Sequence, residues 1–250
     1  MGVRTAVLSR RTFHRALGAL AATAVVGADR VALAHTSQEV TLRCPIDGTS
    51  IKVQETMSMT TFGAFKDFQK KGAIGSYYED QVAACPTCRF AGFGDDFASP
   101  VKPETVKWIK NDLRQKWAGR GKPTQAEENE LAADRYTFDK AKSEIIGQLW
   151  LVGSYLMRGA TGQLADQRKA YQRAAARFFT SALAAGEVKA DTRAPMVYLV
   201  AELERRVGDH AQAIVHYDAA LAEAVVADWL RPMVAEQRAL AVKGDANNDI

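Results

Sequence analysis

Two periodicities divide the chain near Pro100. Before it, apolar residues alternate with polar ones in short runs. From Glu39 to Arg43, Val40 and Leu42 alternate with polar neighbours, and from Thr49 to Glu55, Ile51 and Val53 do the same. A period of two is that of a strand with one covered face. Between the runs lies Cys44-Pro45-Ile46-Asp47-Gly48, so the pair reads as a β-hairpin, with Gly48 supplying the positive φ such a turn needs. Phe62, Phe65 and Phe68 recur every three residues and suggest a short helix or turn packed on this unit. Tyr77 to Ala84 reads as a further strand running into Cys85-Pro86-Thr87-Cys88-Arg89; Phe90 to Phe93 leads out, and Asp95-Asp96-Phe97 closes the segment. Residues 35–99 form one small cysteine-centred unit, and its modest apolar content calls for a staple.

After Pro100 the spacing becomes helical. Pro103 marks a start, with Val106, Ile109, Leu113 and Trp117 on one face. Residues 100–125 are read as this helix and a linker, Gly119 to Pro123. Thr124 with Glu127 is a capping box. Ala141, Ile145, Leu149, Val152 and Leu156 then make a long apolar stripe that stops near Gly159 and Gly162. A partner helix runs through Tyr171, Ala174, Phe178, Ala182 and Leu183 to Gly186. A second pair covers Thr192 to Val207 and His210 to about Val226, and a last helix covers about Asp228 to Lys243. Residues 244–250 read as a polar, flexible tail.

The two helix pairs resemble each other. Leu149 to Gly153 aligns with Val197 to Ala201, and Phe179, Ala182 and Leu183 align with Tyr217, Ala220 and Leu221. The mismatch between the two offsets places a longer connection in the first pair, around Gly159 to Gln167. Small residues at Ala201, Ala213 and Ala220 beside Tyr217 follow the spacing of a tetratricopeptide (TPR) repeat. An ordinary helical bundle shares such patterns. The expected fold is mainly α: a small β-hairpin zinc-knuckle unit, then TPR-like α–α repeat helices over residues 126–243.

Charge changes the picture only at the front. The formal net charge of +4 is carried entirely by residues 1–34, where Arg4, Arg10, Arg11, Arg15 and Arg30 face only Asp29; the remainder is balanced. No basic stripe is left for nucleic acid. Ser9-Arg10-Arg11-Thr12-Phe13 matches the twin-arginine export pattern, and an Ala-rich apolar run follows from Ala16 to Ala28. Ala32 and Ala34 are the small residues a signal peptidase reads, which predicts His35 as the mature start. A periplasmic or secreted chain with no stable membrane span after cleavage is expected. The twin-arginine route carries folded proteins, so a metal can be loaded before export.

All three cysteines lie in the two Cys-Pro turns. Cys85 and Cys88 make one half of a four-ligand site, and Cys44 with Asp47 at the same spacing makes the other; one zinc per chain held by three thiolates and a carboxylate is chemically allowed. A Cys85–Cys88 disulfide with Cys44 inert is the alternative. A thioredoxin-like centre fits less well, because Phe90 to Gly94 is a poor helix start. His35 as an N-terminal copper chelator would need a second histidine, and His210 and His216 read as helix-surface residues. Asp95 and Asp96 are adjacent and point apart in a strand or turn. No residues suit a catalytic triad or a phosphate loop.

Cys44 to Gly48, Cys85 to Phe97 and Tyr198 to Asp209 together resemble a bacterial family catalogued as domain of unknown function 2225, over roughly residues 38–225. The resemblance implies two Cys-Pro-x-Cys turns followed by TPR-like helices, and carries no activity. Asp47 departs from it, standing where the family has its second cysteine. The twin-arginine leader is a second departure, since cytoplasmic relatives are expected. The expected function is an exported, zinc-stapled interaction module that binds a protein or peptide through its helices. The alternative is a metal-dependent enzyme or metal carrier working at an open site.

Overall fold

The computed structural model describes residues 35–247. Ser9, Arg10, Arg11, Phe13, Ala32 and Ala34 of the leader lie outside the described residues. Alternation in the first segment becomes β1 (His35–Arg43) and β2 (Ser50–Met59), paired antiparallel with Val40 opposite Val53 and Leu42 opposite Ile51. Two smaller hairpins follow: β3 (Thr61–Ala64) with β4 (Lys70–Gly72), and β5 (Ala83–Ala84) with β6 (Ala91–Gly92).

Two local expectations are met only in part. The phenylalanines at a spacing of three form no helix. Phe62 sits on β3 and is 70% exposed, whereas Phe68 adopts φ 67° and packs against Tyr198 and Trp229. A hairpin whose turn holds a left-handed residue sends the three rings to different surroundings. Tyr77 to Ala84 is mostly turn, with a left-handed Asp80 (φ 60°), and only Ala83–Ala84 pairs as strand.

A helical turn, α1 (Gly94–Phe97), precedes α2 (Pro103–Trp108), which continues through a π turn (Ile109–Leu113) into α3 (Arg114–Lys116). The Thr124–Glu127 capping box opens α4 (Gln125–Phe138), with both reciprocal hydrogen bonds present. The helix expected from Ala141 begins at Ser143 as α5 (Ser143–Leu156). Lys140, at φ 55°, ends α4: the Ala141 N–H donates to the Tyr136 carbonyl in a Schellman stop. Then come α6 (Gln163–Ala184), α7 (Ala190–Val207), α8 (His210–Ala222) and α9 (Leu230–Val242). From α4 to α9 each helix packs on its neighbour in sequence. The mismatch between the pairs lies mainly in helix length, since α6 has 22 residues and α8 has 13. Ala201, Ala213, Tyr217 and Ala220 are fully buried where α7 meets α8.

Packing does not stop at residue 99. Cys44, Cys85, Cys88, Phe90 and Phe93 share one apolar core with Ile109, Leu113, Trp117, Leu131, Ile146 and Leu149. Arg135 of α4 adds a polar tie, donating from Nε to the Ala91 carbonyl (2.7 Å) and from Nη2 to Asp96 (2.8 Å). Gly92 is required there, because a Cβ would collide with Asp96 and Arg135. At the other end, Arg205 donates to the Asp245 and Asn247 carbonyls, so the start of the tail is held.

Candidate metal centre

The two cysteine turns are copies of one backbone motif. In the first, the Cys44 N–H donates to the Thr49 carbonyl (2.9 Å) and the Cys44 carbonyl accepts from the Gly48 N–H (2.9 Å). In the second, the Cys85 N–H donates to the Phe90 carbonyl (2.7 Å) and the Cys85 carbonyl accepts from the Arg89 N–H (3.0 Å). Gly48 (φ 74°) and Arg89 (φ 71°) hold the same left-handed position. Glycine takes it without strain. Arg89 is held there by its own guanidinium, whose Nη2 donates to the Arg120 and Gly121 carbonyls at 2.8 and 2.9 Å. The linker is thereby clamped onto the second knuckle.

Asp47 takes the seat of a cysteine. The Phe90 N–H donates to Cys88 Sγ (3.5 Å), and the equivalent Thr49 N–H donates to Asp47 Oδ1 (3.0 Å). Backbone amides aimed at sulfur or oxygen favour the ionised form, which is the form a metal takes.

The turns bring all four side chains together. The ligand atoms of Cys44, Asp47, Cys85 and Cys88 all lie within 4.8 Å of one another. Cys44 Sγ is 3.4 Å from Cys88 Sγ, and Cys85 Sγ is 3.6 and 3.7 Å from the two Asp47 oxygens. Thiolates about 2.3 Å from a tetrahedral ion stand about 3.8 Å apart, so the four groups lie close enough to hold a metal ion. All three cysteines are free thiols. They are buried, whereas Asp47 is exposed.

The thiols resist losing their protons together. Hydrogen bonding from Cys88 brings Cys85 down to about 6, against the pull of burial. Cys88 is pushed up because its proton serves Cys85 and because it is buried. Burial raises Cys44 to about 11. For Asp47 burial works upward, but hydrogen bonds from Thr49 outweigh it and leave the carboxyl below its ordinary range. A cation among these groups would replace the protons and lift the penalty, as metal ligation does generally.

The remaining candidate residues stand apart from this cluster. Asp96 caps the Phe93 N–H and accepts from Arg135 and Tyr136, so it is tied into the packing rather than paired with Asp95. His35 Nε2 lies 3.2 Å from Thr56 Oγ1, and His216 Nδ1 lies 2.7 Å from Glu204. Among the described residues no histidine joins a metal-ligand group, and no helix is long and apolar enough to cross a membrane.

A second polar cluster is absent from the sequence expectations. Asp67, in the β3–β4 turn, is fully buried and pairs with Arg158 and with Arg206 (3.2 Å). Glu202, also buried, accepts from Arg206 Nε (2.7 Å), Arg205 Nη2 (2.8 Å) and the Tyr217 hydroxyl (2.6 Å). The only hint in the sequence was Glu202, Arg205 and Arg206 at helical spacing, which reads as a solvated face.

A groove of about 970 Å³ lies between the β3–β4 hairpin and helices α4–α6, lined in part by Phe65, Lys70, Lys71, Tyr155 and Leu164. A smaller one of about 350 Å³ is bounded by Asp95, Lys102, Arg135 and Asp139. None of the four cluster residues lines either.

No curated protein and no solved structure matches the chain. The family described as "Uncharacterized protein conserved in bacteria (DUF2225)" matches residues 39–241, a span holding both knuckles and nearly all of the helical region. With four-fifths of its length matched, the chain belongs to the DUF2225 family.

Proposed function

We propose that this chain is an exported interaction module whose two Cys-Pro knuckles are stapled by one zinc ion, with no catalysis of its own. Cys44, Cys85 and Cys88 supply thiolates, and Asp47 supplies the fourth ligand. The carrying observation is that these four groups meet at the junction of the two turns, three of them buried, and line neither groove. An ion there ties β1–β2 to β5–β6 and, through the shared core, to the helices. Zinc suits a mainly thiolate tetrahedral set. The helical half is read as TPR-like repeats that present a surface to a protein or peptide partner. The Arg10–Arg11 leader supports export.

Metal analysis, intact mass and thiol counting on protein recovered from outside the cytoplasm test this reading. The expected result is a chain starting at His35, one zinc, and three thiols released by a chelator under denaturing conditions. Asp47→Cys should hold zinc longer against the chelator, because it replaces a hard oxygen with a fourth thiolate. No metal together with a Cys85–Cys88 disulfide would overturn the reading.

A second reading rests on the exposure of Asp47. If its carboxylate gives way to water, the ion keeps an open position and the chain is a metal-dependent enzyme or carrier. Zinc that a weak chelator strips from the native protein would favour this alternative.

A further inference from the structure

We propose that the groove beside the β3–β4 hairpin docks an extended acidic peptide segment of a partner protein, with Lys70 and Lys71 reading its carboxylates. The inference rests on the chain being an interaction module and is independent of which ion the knuckles hold.

Charge carries the argument. The Lys70 ammonium stands 4.4 Å over the Tyr77 ring and the Lys71 ammonium 4.3 Å over the Phe65 ring. Among the described residues neither ion-pairs with a carboxylate. The other charges on the groove wall are largely committed. Arg158, also over Phe65 (3.9 Å), pairs with buried Asp67, and Glu127 accepts from Thr124. Glu79 remains on the wall against two lysines, so the groove is net positive. Two ammonium groups held by aromatic rings and lacking counter-ions suit an anionic occupant.

Geometry makes that occupant a peptide. The Lys70 ammonium rests on Tyr77 and the Lys71 ammonium on Phe65, so the groove offers two separate cationic points rather than one pinched site. An extended segment with several carboxylates meets both. β4 pairs with β3, and on its other edge the Lys70 N–H donates to the Tyr78 hydroxyl (3.2 Å). The segment is therefore held by side chains along the groove of about 970 Å³ that Lys70, Lys71 and Gly72 line, not by strand addition. Apolar anchors are at hand: Leu164 lines the groove and is 56% exposed, and Ile74, two residues beyond β4, is 63% exposed.

The test is fluorescence anisotropy of a fluorescein-labelled decapeptide of alternating glutamate and leucine, titrated with the exported chain that starts at His35, so that the basic leader is not present to attract it. A counterpart with lysine for glutamate is the control. The acidic peptide should bind, the basic one should not, and added salt should weaken binding. Lys70→Glu/Lys71→Glu should lower affinity about tenfold or more at low salt. If that variant loses its helical circular dichroism, Lys70→Gln/Lys71→Gln serves instead, with a smaller loss expected. Equal binding of both peptides, no binding, or indifference to both double substitutions would overturn the proposal. So would sedimentation showing a dimer that the same substitutions dissociate, since a second copy would then be the occupant. Zinc is measured on each sample. A metal-loaded chain that ignores the acidic peptide refutes the groove alone, and a metal-free chain that binds it refutes the zinc staple alone.

Discussion

Two polar clusters join the β-rich front of this protein to its helices, and they solve the cost of burial in opposite ways. At the knuckles, three buried thiols and one exposed carboxylate converge with nothing but protons to share. Their thiols are pushed apart in acidity, Cys85 to about 6 and Cys44 to about 11, and the four groups lie close enough to hold a metal ion. The second cluster is complete by itself. Asp67 and Glu202 stand among Arg158, Arg205 and Arg206, and Tyr217 donates to Glu202. Burial alone drives the Glu202 carboxyl upward, but Arg206, Arg205 and Tyr217 together keep it below its ordinary range. Under the proposed zinc staple the knuckles would make the front conditional on an ion, whereas the ion-pair cluster holds the hairpin–helix contact by itself. A buried charge is tolerable only when paired and hydrogen-bonded; the ion pairs meet that rule among themselves, and a zinc ion would meet it for the thiolates.

Removing one member of the self-sufficient cluster should do the most damage. Glu202→Gln leaves Arg205 and part of Arg206 buried without their counter-charge, at a cost of about 3–5 kcal/mol in chemical denaturation. Glu202→Gln/Arg205→Met should recover part of that loss, because a neutral pair no longer strands a charge. A loss under about 1 kcal/mol for the single change would mean that water reaches the site and that the two clusters are less unlike than described.

Cys88→Ser should cost less and cost it locally. It removes a thiolate shared by both contacts, to Cys44 and to Cys85, and the ion should leave. For a metal present at a hundredfold its dissociation constant, linkage puts the loss at about 3 kcal/mol. Proteolysis within residues 35–99 should rise sharply while helical circular dichroism is largely kept. The wild-type chain treated with a chelator should behave the same way, and Glu202→Gln, whose knuckles are intact, should lose the same further increment on chelation. Collapse of the helices in Cys88→Ser would show that the shared core makes the metal a condition for the whole fold.

The difference between the clusters also governs what the sequence could reveal. Cysteine is rare, so three of them in two Cys-Pro turns announce a site, and Asp47 could be named from spacing alone. Glycine and capping signals did the same for the Gly208 end of α7 and for the Thr124 start of α4. The Asp67–Glu202 cluster gave no such signal, because arginine and glutamate three and four apart look like any solvated helix face. Only the tertiary approach of the β3–β4 turn buries them. Arg89, standing in the glycine position of the second knuckle, was hidden for the same reason, whereas Lys140 ends α4 in the left-handed region through the local Schellman bonds. At Arg89 a long-range contact overrides a local preference, as its guanidinium on the 120–121 carbonyls shows.

A third ion pair sharpens the contrast from the weak end. His216 on α8 meets Glu204 on α7 at 2.7 Å, with side chains 23% and 14% exposed, so solvent screens it far more than the Glu202 cluster. The hydrogen bond to Glu204 raises the imidazolium's pKa above 6.5, with burial opposing. A raised folded-state value means that the stabilisation is fully present below the unfolded value near 6.5. It is lost as pH rises through the higher folded-state value. The pair should contribute under about 1 kcal/mol on the acidic side, and less in high salt. Denaturation midpoints should therefore fall slightly from about pH 6 to pH 8 in the wild-type chain. In His216→Gln that slope should flatten, while the Glu202→Gln loss should persist across the same window because its arginines do not titrate there. A His216→Gln chain with the wild-type slope would place the titration elsewhere and leave α7 and α8 joined by packing through Ala201, Ala213, Tyr217 and Ala220 and by the Tyr217–Glu202 hydrogen bond.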